Sequence, residues 1–314
     1  MTTTTAQSTP AVPTPTARAV KPPGRLRAWA TRAPLLPALI FMIVITQLPF
    51  VATLVISFFD WNALYPEARS FAGFANYAEV LTDPDLRRSV LTTVLLTATV
   101  VLASLVLGLG LALLLDRPFR GRGFVRTLLI APFLLVPVAA ALLWKHVLFN
   151  PEYGLFNGLL NLVGGPQPDW VSNTPLLAIE MALIWQWTPF MMLILLAGLQ
   201  SRSPELLEAA RIDGANNWQI FRYMTVPHLR RYLELGALLG SIYIVQNFDA
   251  VFTITSGGLG TANLPYTVYQ SFYQAHENGL ASAAGVLVVI GSIIIATFAL
   301  RVVSSLFREE VGRA

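Results

Sequence analysis

The sequence predicts an all-α integral membrane protein with six transmembrane helices. Composition and a series of long apolar runs lead to this fold class. Of the 314 residues, 55% are hydrophobic and only 12% are charged, and the mean hydropathy is +0.61. Such a chain is too apolar for a soluble domain of this size. Because a spanning helix needs about 20 apolar residues, the runs predict spans at about 34–59, 89–115, 124–148, 175–199, 231–254 and 281–306.

The two ends of the chain differ from this membrane domain. Residues 1–33 are rich in Thr, Pro and Ala and then in Arg, without apolar periodicity, which predicts a disordered basic tail in the cytoplasm. We do not expect a cleavable signal peptide, because the first apolar run begins only near Leu35 and lacks a small-residue cleavage site. The membrane domain is therefore predicted at residues 34–308, with a short cytoplasmic tail at residues 309–314.

Lysine and arginine determine the predicted orientation. With the N-terminus inside, only Arg69, Arg87, Arg88 and Lys145 lie on the outer side, and the other 17 of the 21 basic residues lie on the inner side. This asymmetry is typical of membrane proteins, whose cytoplasmic segments are rich in Lys and Arg. Both termini and the polar loop at residues 200–230 are therefore predicted to be cytoplasmic.

The two longer outer segments have the character of structured loops. Residues 60–88 carry several carboxylates among aromatic residues, which predicts a folded loop or a short helix rather than a tight turn. Residues 146–174 contain many turn-forming residues, including Gly164, Gly165 and Pro166.

The loop at residues 200–230 has the pattern of two short amphipathic helices. Ser203 is a suitable N-cap and Pro204 suits the first helical position. Glu205 complements the positive end of the helix dipole, and Gly214 supplies a left-handed stop. The first helix is therefore expected between Pro204 and Gly214.

The second short helix of this loop is expected to begin at Asn216 or Asn217, either of which can cap it, and to end at Pro227. Its apolar residues are spaced three apart and so share one face, which would lie on the membrane or on another protein. They are Trp218, Phe221 and Met224.

The same loop carries a pattern that resembles a known family. The pattern is Glu-Ala-Ala, three residues, Gly, nine residues and then Ile-x-Leu-Pro. It is matched here by Glu208, Ala209, Ala210, Gly214 and Pro227, with Met224 and Val226 in place of the family's Ile and Leu. It resembles the cytoplasmic coupling helix of bacterial ABC importer permeases. The resemblance implies a transport subunit whose loop docks into a groove on a separate ATPase.

The resemblance also implies roles for the residues of this loop. Glu208 would make a polar contact with the ATPase, Ala209 and Ala210 would allow close approach, and Gly214, preceded by Asp213, would make the turn. The alternative is that Glu208 is only a solvated residue on a surface helix.

The chain lacks the residues of an ATPase or hydrolase site. Its only lysines are Lys21 and Lys145, and neither follows a Gly-rich phosphate-binding turn. The three histidines lie in separate segments without metal-ligand spacing, there is no cysteine, and the Gly-x-Ser-x-Gly pattern is absent. We therefore expect no cofactor in this chain, and ATP and Mg²⁺ would bind the partner ATPase.

Candidate solute contacts lie near the middle of the fourth and fifth predicted spans, since polar groups at this depth tend to line a cavity. Amides exchange hydrogen bonds with hydroxyl groups and aromatic rings cover C–H faces, so the set suits a sugar or polyol better than a bare ion. The alternative is that the amides bridge helices and the tryptophans pack against neighbours. The candidates are Trp185 and Gln186, beside Trp187, and then Tyr243, Gln246 and Asn247.

Asp249 follows these residues and precedes the turn at residues 255–258. Phe248-Asp249 and this turn resemble a stretch of carbohydrate-type ABC permeases. We expect the carboxylate to cap the turn, with a solute contact as the alternative. Glu180 and Lys145 are expected to reach the membrane interface, or for Glu180 a partner chain.

Taken over nearly the whole chain from Leu35, the resemblance is to the maltose-transporter-like, carbohydrate-uptake branch of ABC importers. Residues 143–145 and 149–154 look most like polyol permeases. The implied assembly, in a bacterial cytoplasmic membrane, contains a second dissimilar six-span permease, a cytoplasmic ATPase dimer and an extracytoplasmic sugar- or polyol-binding protein, with no nucleic acid. The alternatives are an ion-coupled secondary transporter of a small polar solute, an ABC permease for a non-carbohydrate solute, or a membrane scaffold.

Overall fold

The computed structural model describes the backbone of residues 35–311, and the side chains of that range apart from residues 299 and 302–311. The predicted tail at residues 1–33 and the last three residues lie outside the described residues. The described chain is almost wholly helical. Its helices are α1 Leu36–Ile56, α2 Ala75–Thr82, α3 Pro84–Asp116, α4 Arg122–Leu134, α5 Pro137–Leu142, α6 Leu155–Leu162, α7 Trp170–Asn173, α8 Pro175–Gln200, α9 Pro204–Ile212, α10 Asn217–Gln219, α11 Val226–Val245, α12 Asp249–Ile254, α13 Leu264–Tyr269 and α14 Asn278–Val311.

Three π-helical segments, a short 3-10 helix at Pro66–Ala68 and one small sheet complete the described secondary structure. The π-helical segments are Leu143–Leu148 after α5, Ile220–Thr225 between α10 and α11, and Gln270–Gln274 after α13. The sheet consists of β1 Phe59–Asp60 and β2 Ser70–Phe71, which are antiparallel.

Four described helices are long and apolar enough to cross a membrane: α1, α3, α8 and residues Asn278–Phe298 of α14. A fifth crossing results if α4 and the helix at Pro137–Leu148 count as one span, although they are bent by 97°. The bend has a local cause. Val136 precedes Pro137 and is held in extended backbone, at φ −59° and ψ 132°, because a proline disfavours the helical conformation of the residue before it.

The fifth predicted span also differs from a continuous helix. α11 ends at Val245, residues 246–248 are not helical, and α12 begins at Asp249. The Asn247 side chain accepts a hydrogen bond from the Ala250 backbone N–H at 3.3 Å, and such local bonds compete with helical ones. α11 also carries charged residues in its first half, so the described chain gives no long apolar helix here.

The chain divides into two compact units, one up to Val51 and one from Ala52 onward. α1 is apolar along its length, and none of its side chains is buried. In the second unit, α3 packs along α8, and α11 packs against both. A Cβ atom on Gly108 of α3 would meet the Cβ atom of Met191 at 2.8 Å. This position therefore requires glycine, as is usual where transmembrane helices approach closely.

The first outer segment is folded, as the sequence predicts. The buried Asn76 side chain donates hydrogen bonds to the carbonyl oxygens of Ser57 and Phe59, both at 2.9 Å. The Arg69 guanidinium lies over the rings of Phe59 and Trp61, 4.9 and 4.5 Å from their centroids. These contacts hold the strands β1 and β2 beside α2.

The second outer segment is organised by Asn157. Its buried amide donates to the carbonyl oxygens of Pro151 and Pro168 at 3.1 and 3.0 Å and accepts from the Trp170 indole N–H at 2.8 Å. Asp169 caps α7 through the backbone N–H groups of Val171 and Ser172. The Ser172 hydroxyl, together with these backbone donors, lowers the pKa of Asp169.

A small polar cavity of about 110 Å³ lies at the outer start of α14 and is lined in part by Asp60, Glu79 and Glu277. Burial raises the pKa of Glu277, and repulsion from Glu79 and Asp60 raises it further. A carboxyl group with a raised pKa binds its proton more tightly in the folded state. Its stabilising contribution is therefore complete below the ordinary pKa of glutamate and is lost as the pH rises through the folded-state pKa.

We predict that Glu277→Gln raises the thermal unfolding temperature at about pH 7 to 8 and has little effect below about pH 4, where the wild-type carboxyl is already protonated. The measurement is thermal unfolding of the purified protein across this pH range. Glu152→Gln, at an exposed carboxylate of the other outer segment, is the control and should leave the curve unchanged. An equal effect of Glu277→Gln at all pH values would contradict the prediction.

Candidate functional site

The loop between α8 and α11 begins with α9, and Pro204 occupies its first turn as predicted. Ser203 occupies the N-cap position in extended backbone, as predicted, but its side chain makes no capping hydrogen bond. Its hydroxyl donates a hydrogen bond to the Glu205 carboxylate at 2.7 Å instead of accepting one from the helix backbone. A carboxylate is a stronger hydrogen-bond acceptor than a neutral group, so the Ser203 hydroxyl donates its hydrogen bond to Glu205.

The end of α9 follows the prediction closely. Gly214 has φ +86°, a conformation that side chains disfavour. The N–H of Ala215 donates to the Ala210 carbonyl at 2.9 Å. Asn216, one of the two candidate caps, begins α10 with a reciprocal pair: its side chain accepts from the Gln219 N–H at 2.9 Å, and its own N–H donates to the Gln219 side chain at 2.8 Å.

Pro227 does not end the second helix, contrary to the prediction. α10 continues through the π-helical segment Ile220–Thr225 directly into α11, and Pro227 lies in the first turn of α11. A π-helical turn shifts the hydrogen-bond pattern by one residue. The missing N–H of proline is therefore accommodated without a break.

The surface of this loop is exposed and partly apolar. Glu208, Ala209, Asp213 and Gly214 are all exposed, and Glu208 makes no hydrogen bond or ion pair within the described part of the chain. The large apolar side chains of the loop are 63% to 85% exposed, and such patches usually mark interaction sites. They are Leu206, Ile212, Trp218 and Tyr223.

A groove of about 360 Å³ lies beside this patch, and its lining includes Gly214, Tyr223 and Met224. Trp218 and Phe221 are adjacent, with ring centroids 5.6 Å apart, as their spacing predicts. Met224 and Phe221 are half-buried, whereas Trp218 is exposed. We call the exposed surface of α9, α10 and this groove the coupling surface.

Arg202 connects the coupling surface to the membrane helices. Its guanidinium pairs with the Asp116 carboxylate at the end of α3 at 2.7 Å, and it donates to the Thr225 hydroxyl at 2.8 Å and to the Leu199 carbonyl of α8 at 3.0 Å. The Arg202 side chain is only 13% exposed. One side chain therefore ties the C-terminal ends of α3 and α8 to the π-helical segment that leads into α11. The sequence alone indicates only that Arg202 is one of the basic residues predicted to lie inside.

A second contact joins α8 to α11 beside Arg202. The Ser201 hydroxyl lies 3.0 Å from the Tyr232 hydroxyl and 3.1 Å from Nε2 of His228. A Cβ atom on Gly198 would meet the Tyr232 ring at 2.6 Å. The inner ends of the two helices are therefore closely fitted at the point where the loop begins.

The solute candidates on α8 face different environments. Trp185 lines a cavity of about 1200 Å³ together with Trp144, and the two indole centroids are 5.8 Å apart. The buried Gln186 side chain donates to the Leu135 carbonyl at 3.3 Å, at the break between α4 and α5. Gln186 thus donates a hydrogen bond to a carbonyl oxygen at the bend, which agrees with the alternative that the amides bridge helices.

Trp187, rather than Trp185, lies beside Tyr243, with ring centroids 5.2 Å apart. Phe133 of α4 is 5.7 Å from Trp187 and stacks on Phe190 at 5.2 Å. We call Phe133, Trp187, Phe190 and Tyr243 the aromatic patch. Tyr243 on α11 and Gln246, which directly follows that helix, are both exposed. Phe133 and Phe190 are not among the residues predicted from the sequence, although Phe190 lies three residues after Trp187 and so on the same helical face.

Asn247 and Asp249 have separate surroundings. The Asn247 carbonyl accepts a hydrogen bond from the Asn263 side chain at 2.6 Å. Asp249 is the first residue of α12 and half-buried, and it makes no described hydrogen bond to the turn that it was expected to cap. Thr261 holds that turn, through the Thr255 hydroxyl at 2.6 Å and the Gly258 carbonyl at 2.7 Å.

Lys145 and Glu180, which were expected at the membrane interface, each make a hydrogen bond within this chain. Lys145 does not extend freely to the interface, because its ammonium group donates to the Thr253 carbonyl at 2.8 Å, near the end of α12. Glu180 accepts a hydrogen bond from the Thr99 hydroxyl of α3 at 2.6 Å. Both side chains therefore connect helices of this chain.

Comparison with known proteins identifies the family. Residues 104–309 match the family described as binding-protein-dependent transport system inner membrane component. The trehalose/maltose transport system permease protein MalF of Thermococcus litoralis is 34% identical over 260 residues, which cover 82% of this chain and 87% of that protein. The sulfoquinovosyl glycerol transport system permease protein SmoG of Agrobacterium fabrum is 33% identical over 273 residues, 86% of this chain and 88% of that protein.

The fold is also that of a solved structure. A chain of the bacterial alginate ABC transporter, in complex with alginate pentasaccharide-bound periplasmic protein, superposes with a TM-score of 0.76 at 20% identity, over 90% of this chain and 96% of that chain. This chain therefore belongs to the family of binding-protein-dependent transport system inner membrane components, and it is a permease with the type I importer fold.

We predict that Arg202→Gln lowers the stability of the protein by about 1–3 kcal/mol, because the Asp116 carboxylate loses its partner while it stays partly buried. The measurement is denaturant or thermal unfolding in detergent. Arg211→Gln, at an exposed arginine of α9, is the control.

The double variant Arg202→Gln with Asp116→Asn separates the ion pair from other effects. The two substitutions are expected to be less than additive, because each removes the same interaction. Strictly additive losses would show that the pair contributes nothing of its own.

Proposed function

We propose that this permease moves a sugar or polyol into the cytoplasm of a bacterium by alternating access, driven by a separate ATPase. The observation that carries the solute class is the aromatic patch, whose member Tyr243 precedes the exposed Gln246 by three residues. The names of the relatives MalF and SmoG, which concern trehalose, maltose and sulfoquinovosyl glycerol, support the same class. Residues 143–145 and 149–154 suggest a polyol within it.

The proposed transporter contains this chain, a second dissimilar permease, an ATPase dimer and an extracytoplasmic solute-binding protein. ATP and Mg²⁺ bind the ATPase, and this chain has no nucleotide site of its own. Both termini of the chain and the coupling surface lie in the cytoplasm, as the distribution of basic residues favours. The outer segments organised by Asn76 and Asn157 would receive the binding protein.

The coupling surface would transmit closure of the ATPase dimer. Its exposed apolar side chains suit a groove on the ATPase, and Glu208 is available for a polar contact there. Ala209 and Ala210 allow close approach, while Gly214 and Asp213 shape the turn. Because Arg202 ties this loop to α3, α8 and α11, a displacement of the loop would move the inner ends of these helices together.

The aromatic patch would line the solute path. Trp187 and Tyr243 present ring faces that cover C–H groups of a sugar, and the exposed Gln246 amide can both donate and accept hydrogen bonds. Asp249 lies at the start of α12 and remains a candidate contact at the outer end. Trp185 and Gln186 are less suited, because one faces another cavity and the other bonds to the Leu135 carbonyl.

We predict that Glu208→Lys and Gly214→Leu each leave membrane insertion intact but reduce solute uptake at least about tenfold. Lysine reverses the charge presented to the ATPase, and leucine cannot readily adopt φ +86°. The measurement is ATP hydrolysis and uptake by the reconstituted complex, with Glu310→Lys near the C-terminus as the charge-matched control. Normal uptake by both variants would exclude the proposed role of this loop.

A matched pair of substitutions on α8 tests the solute path and class. Trp187→Leu is expected to raise the half-saturating solute concentration about threefold to tenfold, because a ring contact contributes about 0.5–1.5 kcal/mol. Trp185→Leu should have little effect on this value. The measurement is ATP-driven uptake of a panel of sugars and polyols. Equal effects of both variants would remove the aromatic patch from the path, and uptake without ATP would favour an ion-coupled carrier.

A further inference from the structure

Two apolar grooves meet at Arg117, at the inner end of α3. The larger, of about 1200 Å³, lies among α3, α4, α8 and the π-helical segment Leu143–Leu148, and the smaller, of about 580 Å³, lies between α3 and α4 beside the turn that joins them. The grooves share the lining residues Leu111, Leu114, Arg117 and Leu129. The two apolar grooves thus meet at the Arg117 side chain.

The larger groove has the depth of one membrane leaflet. Its lining is apolar apart from Arg117 and a few polar atoms, and along α3 it extends from Arg117 to Val106. Eleven residues of helix rise about 16 Å, which is close to half of the roughly 30 Å hydrocarbon core. Its volume exceeds the roughly 300–1000 Å³ of pockets for small ligands. An acyl chain that starts at the inner interface therefore fits its length.

The turn between α3 and α4 carries a positive charge that this chain does not neutralise. Arg117, Arg120, Arg122 and Arg126 lie within ten residues and form no ion pair in the described range 35–311. Asp116, the neighbouring carboxylate, is already paired with Arg202 at 2.7 Å. Clusters of four or more basic residues at the cytoplasmic end of a transmembrane helix attract anionic lipid headgroups.

We propose that this place is a binding site for an anionic phospholipid of the inner leaflet. The headgroup phosphate binds the Arg117 guanidinium at the junction, the neighbouring arginines supply the surrounding field, and the acyl chains fill the two grooves. A phospholipid has one anionic headgroup and two acyl chains. The site correspondingly has one cation, Arg117, at the place where two apolar grooves meet. The proposal does not depend on which solute is transported.

The test measures which phospholipids stay bound to the protein during purification. The full chain, co-expressed with its partner subunits, is purified from cells that contain anionic and zwitterionic phospholipids, and the bound lipids are quantified by mass spectrometry. We expect anionic phospholipid to be enriched over zwitterionic phospholipid. Arg117→Gln should lower the retained anionic lipid about fivefold, because one basic residue near the surface contributes about 1 kcal/mol.

Gly110→Leu blocks the larger groove without disturbing the helix packing. Gly110 lines the groove, and a Cβ atom there would meet nothing within 4 Å. A similar loss of anionic lipid is expected. The matched controls are Arg88→Gln at the outer end of α3 and Gly291→Leu on α14, where a Cβ atom likewise meets nothing within 4 Å. Both controls should retain the lipid.

Three results would overturn the proposal. One is equal retention of zwitterionic and anionic phospholipid, and another is unchanged retention in both Arg117→Gln and Gly110→Leu. The third is a cross-link from Gly110→Cys to the second permease in the assembled complex, because protein rather than lipid then covers the groove. The chain has no cysteine of its own, so the introduced thiol is the only one in this subunit.

Discussion

The ion pair between Arg202 and Asp116 is the interaction on which the inner half of the structure depends. Burying a guanidinium is costly unless its donors are satisfied, and here a carboxylate, a hydroxyl and a backbone carbonyl accept from it. The acceptors belong to the inner end of α3, the start of α11 and the inner end of α8. Arg202 therefore links the ends of α3 and α8 to the residue before α11, and α9 begins two residues after it.

The breaks in the membrane helices are subject to the same requirement, namely that each buried polar group has a hydrogen-bond partner. Where a helix breaks in hydrocarbon, carbonyl oxygens lose their partners and have no water to replace them. Gln186 donates to Leu135 at the α4–α5 bend, Asn263 donates to Asn247 between α11 and α12, and Lys145 donates to Thr253 near the end of α12. Polar side chains of the membrane region thus hold broken helices in place, which explains why Gln186 resembles a solute contact in the sequence.

The turn and the cap in the loop at residues 200–230 could be predicted because they depend on neighbouring residues. The contacts between helices could not, because their partners are distant in the sequence. The glycine stop at Gly214 and the cap at Asn216 depend on residues within one turn, and both were predicted. The bend before Pro137 and the break after Val245 have local causes, but the side chains that donate to the freed carbonyl oxygens, Gln186 and Asn263, lie 51 and 16 residues away from them in the sequence. Likewise, nothing in the sequence indicates that Arg202 reaches Asp116, 86 residues earlier. The apolar runs located the four long apolar helices and the bent pair α4 and Pro137–Leu148, but they could not show which face of α8 meets which neighbour.

The two faces of α8 connect the proposed lipid site with the proposed solute path. Trp185 and Trp187 are two residues apart and so project about 200° apart around the helix. Trp185 lines the large groove that leads to Arg117, whereas Trp187 belongs to the aromatic patch. If lipid fills that groove, this side of α8 faces the bilayer, and the aromatic patch then faces away from it. A second permease packed over the patch would enclose Trp187, Tyr243 and Gln246 in a shared pathway. The lipid experiment therefore also bears on where the solute passes, because a groove covered by the second permease would reverse the assignment of the two faces.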